Sequence, residues 1–138
     1  TEDGGREGAM GERVTSFRGL RVYARALALQ HQVFELTKGF PREEIFSLTD
    51  QLRRSSLSIG ANIAEAWHKR RYPAHFVSKL TDADGAQAET EHWIDTAYAC
   101  QYVSAEDRDR LLELTRAIGG MLGKMISDPE AFCRKTEQ

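Results

Sequence analysis

Two Glu-x-x-His spacings, Glu65 with His68 and Glu89 with His92, are the residues in this sequence best placed to do metal chemistry. On a helix, positions three apart share a face. Paired Glu-x-x-His helices with two further carboxylates build a di-iron site in helical bundles. The intervening turn argues against such a site here. It centres near Arg71 and Tyr72, far closer in sequence to Glu65 than to Glu89. In an antiparallel hairpin rising ~1.5 Å per residue, the two glutamates stand roughly 16 Å apart along the axis. No shared metal and no cofactor are expected.

The same counting brings Glu89 level with Arg53 and Arg54. An ion pair across the hairpin, Arg54 to Glu89, is therefore expected, since a carboxylate near a core needs a partner. Asn62, on the stripe of Leu52 and Ile59, is expected either to fix helix register or to bond a nearby backbone carbonyl. With Glu65 these residues form a candidate structural polar cluster. Ser55, Ser56 and Ser58 lie mid-helix and resemble no nucleophile elbow. His31 and His75 have no partner suggesting catalysis, and no glycine loop is built to cradle phosphate. An enzyme is not expected.

The elements that position these residues read as four helices. The first runs from about Arg18 to Lys38 and is stopped by Gly39 before the Phe40-Pro41 turn. Glu43 and Glu44 then suit a helical first turn, with a break before Thr49 where Ser47 or Thr49 caps. The second helix continues to about Lys69. Pro73 opens a third that lasts to about Tyr102, and Ser104 caps a fourth that ends at Ser127. No segment alternates long enough to argue for a sheet.

Core stripes follow from the period. The second helix offers Ile45, Leu48, Leu52, Ser55, Ile59, Asn62 and Ala66. The third offers Phe76, Leu80, Ala83, Gln87, Thr90, Ile94 and Ala97. Several are small, so "SSLSIGANIA" reads as a close-packing surface, with Trp67 and Trp93 covering its edges. The first helix carries two stripes, one with Leu27 and Phe34 and one with Val22, Ala26, Leu29 and Val33. The fourth likewise carries Leu111, Ile118 and Met125 beside Leu112 and Leu122. A second stripe is either a wide core-facing surface or a subunit interface, and an oligomer is expected.

The chain has 138 residues, 41% of them hydrophobic, and a net charge of −2, which bounds it to one ordinary domain and excludes a polycation. Residues 1–16 read as a polar extension, 17–127 as the bundle and 128–138 as a tail. No apolar run nears the ~20 residues that span a bilayer. With no leader pattern, and with Cys100 and Cys133 in no metal or redox spacing, a cytoplasmic protein with reduced thiols is expected.

"FRGLRVYARAL" and "LTDQLRRSSLSIGANIAEAW" resemble the bacterial four-helix-bundle family that includes proteins encoded within intervening sequences of large-subunit ribosomal RNA genes. Accessory variability proteins of diversity-generating retroelements look like relatives. The resemblance rests on Phe17 and Leu20, Phe40 and Pro41, Gln51 to Arg54, Ser58 to Glu65, and Gly85 to Glu91, and it covers roughly Phe17 to Ile126. Ala66 and Ala86 depart from the family's usual Gly and Ser. The resemblance implies an all-α, up-and-down antiparallel four-helix bundle assembled into a ring-shaped homopentamer. For the retroelement relatives it implies binding to nucleic acid and to reverse transcriptase.

Charge is unevenly placed. Glu12 to Arg42 and Asp50 to Lys79 each hold six basic and two acidic residues, whereas Thr81 to Glu113 holds two basic and nine acidic. In such a bundle Arg13, Arg18, Arg21, Lys69, Arg70, Arg71, Lys79 and Lys124 gather at one end, with Arg25 on the helical face of Arg18 and Arg21. These residues make a candidate footprint for the phosphate backbone of RNA or DNA. The competing expectation is a protein–protein adaptor, with the cations only complementing helix dipoles.

Overall fold

The computed structural model describes residues 14–133, and the expected extension and tail lie outside it over residues 1–13 and 134–138, Arg13 included. Four helices follow one another: α1 (Arg21–Thr37), α2 (Leu48–His68), α3 (Pro73–Ala99) and α4 (Ala105–Ser127). Short 3-10 turns stand at Phe17–Gly19, Arg42–Glu44 and Pro129–Ala131. There is no strand among the described residues. Each helix packs on the next and α4 closes back on α1, the arrangement of a four-helix bundle. None of these helices is long and apolar enough to cross a membrane.

Local chemistry explains the boundaries. Ser104 accepts the Asp107 N–H at 3.0 Å and so caps α4. Pro73 occupies the first turn of α3, where a missing N–H costs nothing. α3 ends in a left-handed residue, Gln101 (φ 65°), with the Tyr102 N–H returning to the Ala97 carbonyl at 2.9 Å. That bond satisfies a carbonyl the helix end would orphan. The first helix is shorter than expected, because Leu20 is extended and separates the Phe17–Gly19 turn from α1.

The break expected before Thr49 is present, and the capping bond comes from neither candidate's side chain. Ser47 takes the N-cap position without a side-chain cap bond. Instead its hydroxyl donates to Glu44 at 2.5 Å, and Glu44 Oε1 accepts the Leu48 N–H at 3.3 Å. The other Glu44 oxygen accepts the Tyr102 hydroxyl at 2.7 Å, tying the α1–α2 connection to the α3–α4 connection. The Ser47, Tyr102 and Leu48 bonds hold the Glu44 carboxyl below its ordinary value. In return, the carboxylate bond pushes the Tyr102 phenol up to about 12.

The core follows the predicted stripes. Every named α3 position from Phe76 to Ala97 is buried. On α2, Leu48, Leu52, Ser55, Ile59 and Ala66 are buried, whereas Ile45 lies in the connection before the helix and is 45% exposed. Its neighbour Phe46 is 92% exposed. α2 and α3 share the most extensive contact in the molecule. Their small side chains permit it, and Thr90 Oγ1 meets Ser55 Oγ at 2.9 Å between them. Trp67 is buried, not an edge cover.

The two double-striped helices resolve differently. On α4, Leu112 and Leu122 are buried beside Leu111, Ile118 and Met125, so both stripes face the core. On α1, Val22, Ala26, Leu29 and Val33 are buried while Leu27 and Phe34 stay exposed. Packing extends past the expected limits of the bundle. Val14 and Ala131 pack against the core, and buried Phe132 stacks on Phe76 at 6.3 Å.

Candidate nucleic-acid interface

The end of α2 sets the geometry of the basic end. The α2 C-terminus needs partners for its last carbonyls, and Arg70 supplies one, its Nε donating to the Trp67 carbonyl at 2.8 Å. The guanidinium then lies over the Trp67 ring at 3.5 Å. Here the buried tryptophan seats a cation. Lys69 and Arg71 flank it in the turn and are exposed. Tyr72, exposed, rests beside the His75 ring at 5.5 Å.

The 3-10 turn before α1 repeats the pattern. Ser16 accepts the Arg18 N–H at 3.1 Å, and the Arg18 guanidinium lies 4.5 Å over the Phe17 ring. Phe17 meets Tyr23 edge-on at 4.9 Å and lies 6.2 Å from His68, so this turn packs against the end of α2. Arg18 and the Lys69–Arg71 group thus share one end of the bundle. Lys124, in the last turn of α4, ends there too, as do Asp128 and Glu130 beyond it. Burial pushes the Cys133 thiol up, against the pull of nearby Arg70.

Not every predicted cation is available. Lys79 bridges to Glu65 at 2.9 Å and Asp82 at 3.7 Å, and it reaches Asn62 Oδ1 at 3.5 Å. Its bond to Glu65 raises its pKa and lowers that of Glu65. Lys79 is therefore a cross-hairpin tie, and it neutralises two acids that would weaken the positive end. Arg25 points its Nη1 at Met121 Sδ, 3.5 Å away on α4.

The expected polar cluster divides into separate parts. The Arg54–Glu89 pair does not form. Arg54 lies 4.0 Å from Asp50 on its own helix, and Glu89 accepts the Trp93 indole N–H at 3.0 Å. Both partners are i,i+4 neighbours, reached without crossing the hairpin. Arg53 turns to α1, donating to Thr37 Oγ1 at 2.7 Å and lying 4.6 Å over the Phe34 ring. Asn62 donates to the Ser58 carbonyl at 2.9 Å, which is the local bonding alternative.

The Glu-x-x-His residues are similarly engaged, Glu65 with Lys79 and His92 against the Trp93 ring at 4.6 Å. The helical hydroxyls are spent on the fold. Ser56 donates to the Arg53 carbonyl, and Ser58 Oγ accepts from Asn62. The sequence reading missed two arrangements. One is the Glu44–Tyr102 tie, signalled only by an acid placed four residues before Leu48. The other is Glu91, whose Oε2 accepts from both Gln87 and Thr115 at 2.7 Å. At this end Arg18 and Arg70 lie over aromatic rings while Lys69 and Arg71 are exposed, an arrangement of cations that attracts anions.

Comparison with known proteins agrees with this architecture. A family model described as 23S rRNA-intervening sequence protein matches residues 18–124. A crystal structure of a protein of unknown function from the S23 ribosomal protein family of Bacteroides thetaiotaomicron is similar, with 29% sequence identity and a TM-score of 0.70. The similarity covers 77% of this chain and 95% of that one. No curated protein matches the chain.

Proposed function

Because the chain belongs to the family of 23S rRNA-intervening sequence proteins, we propose that it acts without catalysis, as an oligomeric scaffold that holds RNA or DNA by the phosphate backbone at its basic end. One observation carries the reading. Arg18 over Phe17 and Arg70 over Trp67 place aromatic-backed guanidinium groups at the same end as exposed Lys69 and Arg71. Phosphate attracts such cations, and exposed Tyr72 in the same turn offers a face for an unpaired base. Nothing in this geometry reads base edges, so recognition is by backbone and shape.

The oligomer is inferred as a closed homomeric ring, five copies by the family resemblance. A ring repeats the basic end around an axis and multiplies weak contacts. The absence of catalysis is supported by the way serine, threonine and carboxylate groups are spent on helix carbonyls and neighbouring side chains.

Fluorescence anisotropy with labelled structured RNA and duplex DNA, across a salt series, tests the proposal. The expected result is binding near the micromolar end of the nonspecific range, ~10⁻⁶ M, weakening steeply with salt. Absence of binding even at low salt overturns it. The second reading, a protein adaptor, is favoured by the apolar pair Ile45 and Phe46 projecting at the opposite end. A pull-down that loses its partner on Phe46→Ser would support it.

A further inference from the structure

We propose that the nucleic acid held at the basic end is unpaired there, with one base stacked on the ring of Tyr72. This rests on the phosphate-binding reading above and names the class of nucleic acid that the site selects.

The rings at this end are not alike. Trp67 is 3% exposed, and the Arg70 guanidinium lies over it at 3.5 Å. Phe17 has Arg18 over it at 4.5 Å and meets Tyr23 at 4.9 Å. Phe76 and Phe132 are buried. Tyr72 is 57% exposed, and no cation lies over it among the described residues. Its contact with the His75 ring, at 5.5 Å, is tilted by 47° rather than stacked. The ring of Tyr72 is thus left open to a planar group from outside.

The backbone fixes where this ring stands. Pro73 starts α3, and a residue before proline is pushed into extended backbone, where Tyr72 lies at φ −120° and ψ 98°. The Tyr72 N–H donates to the Lys69 carbonyl at 3.0 Å. Its own carbonyl accepts from the His75 and Phe76 N–H groups at 2.9 and 3.0 Å. Both backbone polar groups are tied into the hairpin while the side chain stays in water. A ring carried on so fixed a backbone loses little freedom when a base stacks on it.

The cations beside it match a strand's phosphates. Lys69 and Arg71 stand in the same turn, are exposed, and form no ion pair among the described residues. A single strand can use both features, its phosphates on the cations and a base on the ring. A duplex can use only the cations, because its bases already cover one another. Its charge is dense, one per ~1.7 Å of axis, so cations alone would not turn it away. The ring is what separates the two. Stacking is indifferent to base identity, in keeping with a site that reads no base edges.

Fluorescence anisotropy on the full chain, over a salt series, tests this with three labelled probes of equal length. They are a single strand, the same strand made abasic, and a duplex. The wild type is expected to bind the strand with bases about five- to a hundredfold more tightly than the abasic strand. Tyr72→Ala is expected to bring the first down to the second, with duplex affinity and the salt slope unchanged, since a ring releases no counterions. Tyr72→Phe keeps the ring and is expected to keep the difference. Equal binding of the two strands by the wild type, or a Tyr72→Ala loss that extends equally to the duplex, overturns the stacking while leaving phosphate binding standing. The comparison of the two strands needs no variant, so it decides even where Tyr72→Ala loses helical content by circular dichroism. No binding of any probe at low salt overturns both readings.

Discussion

At the end of the bundle where α2 turns into α3, guanidinium groups lie on aromatic rings, Arg70 on Trp67 and Arg18 on Phe17. At the other end, charges are used up by near neighbours. Arg110 bridges Asp107 at 2.6 Å, Lys38 bridges Glu35 at 3.1 Å, and Glu44 takes bonds from Ser47, Leu48 and Tyr102. A ring holds a cation through its face and carries no formal charge, whereas a carboxylate brings the opposite charge. One end therefore seats its guanidinium groups on rings, and the other spends its polarity on joining loops.

The largest effect is expected from Trp67→Ala. It removes a buried ring and the seat of Arg70 together, and should cost about 3–5 kcal/mol in chemical denaturation. A small loss would mean that the basic end is not built on its aromatic floor. Next in size, Arg71→Ala should weaken RNA or DNA binding up to about tenfold and lower the salt slope by about 1, with an unchanged melting temperature. An unchanged slope would place the phosphate contacts elsewhere.

The other end is probed by Tyr102→Phe, expected to lower the melting temperature by a few degrees. Its pH dependence has a definite sign on both sides. The Tyr102 pKa is raised from 10.0 to about 12, so stability held below pH 10 is lost as pH rises through that interval. The Glu44 pKa is lowered from 4.5, so its contribution is present above that value and lost as pH falls below it. Thermal melts of wild type and Tyr102→Phe should converge at both extremes. A constant difference from acid to alkali would show that the tie adds nothing through its charge.

Gln101→Gly should stabilise by up to about 1 kcal/mol, because glycine adopts the left-handed turn without a Cβ clash. The smallest change is expected for Arg54→Ala, within about 0.5 kcal/mol, since its 4.0 Å approach to Asp50 is exposed. A clear fall in melting temperature there would restore a structural role for that guanidinium.

What was legible in the sequence and what was not divide along physical lines. The α3 stripe from Phe76 to Ala97 could be read because a helix has one period and one dry side. Ser104 was legible as a cap because its bond is local. The Arg54–Glu89 pair failed although the two heights matched, because height along an axis does not say which way a long side chain swings. Asp50 and Trp93 were nearer on the same helices. Lys79 was misplaced among the free cations for the same reason, as its partner Glu65 lies across the hairpin. The Glu44–Tyr102 tie spans two loops, and no period describes loops. The family assignment was legible from motifs at the start of α1, at Phe40–Pro41 and in α2 and α3, and the family match spans residues 18–124.

The close seating of α2 on α3 also bears on how the chain reaches its fold. Only the short turn from Lys69 to Tyr72 separates these helices, so little loop entropy opposes their meeting. Their contact is the most extensive in the molecule and includes the Ser55–Thr90 hydroxyl pair. The hairpin is therefore the natural nucleus, with α1 and α4 arriving afterwards on a platform whose register is already set. Substitutions that crowd Ser55 or Thr90 should then slow folding itself, whereas those on α1 should mainly hasten unfolding.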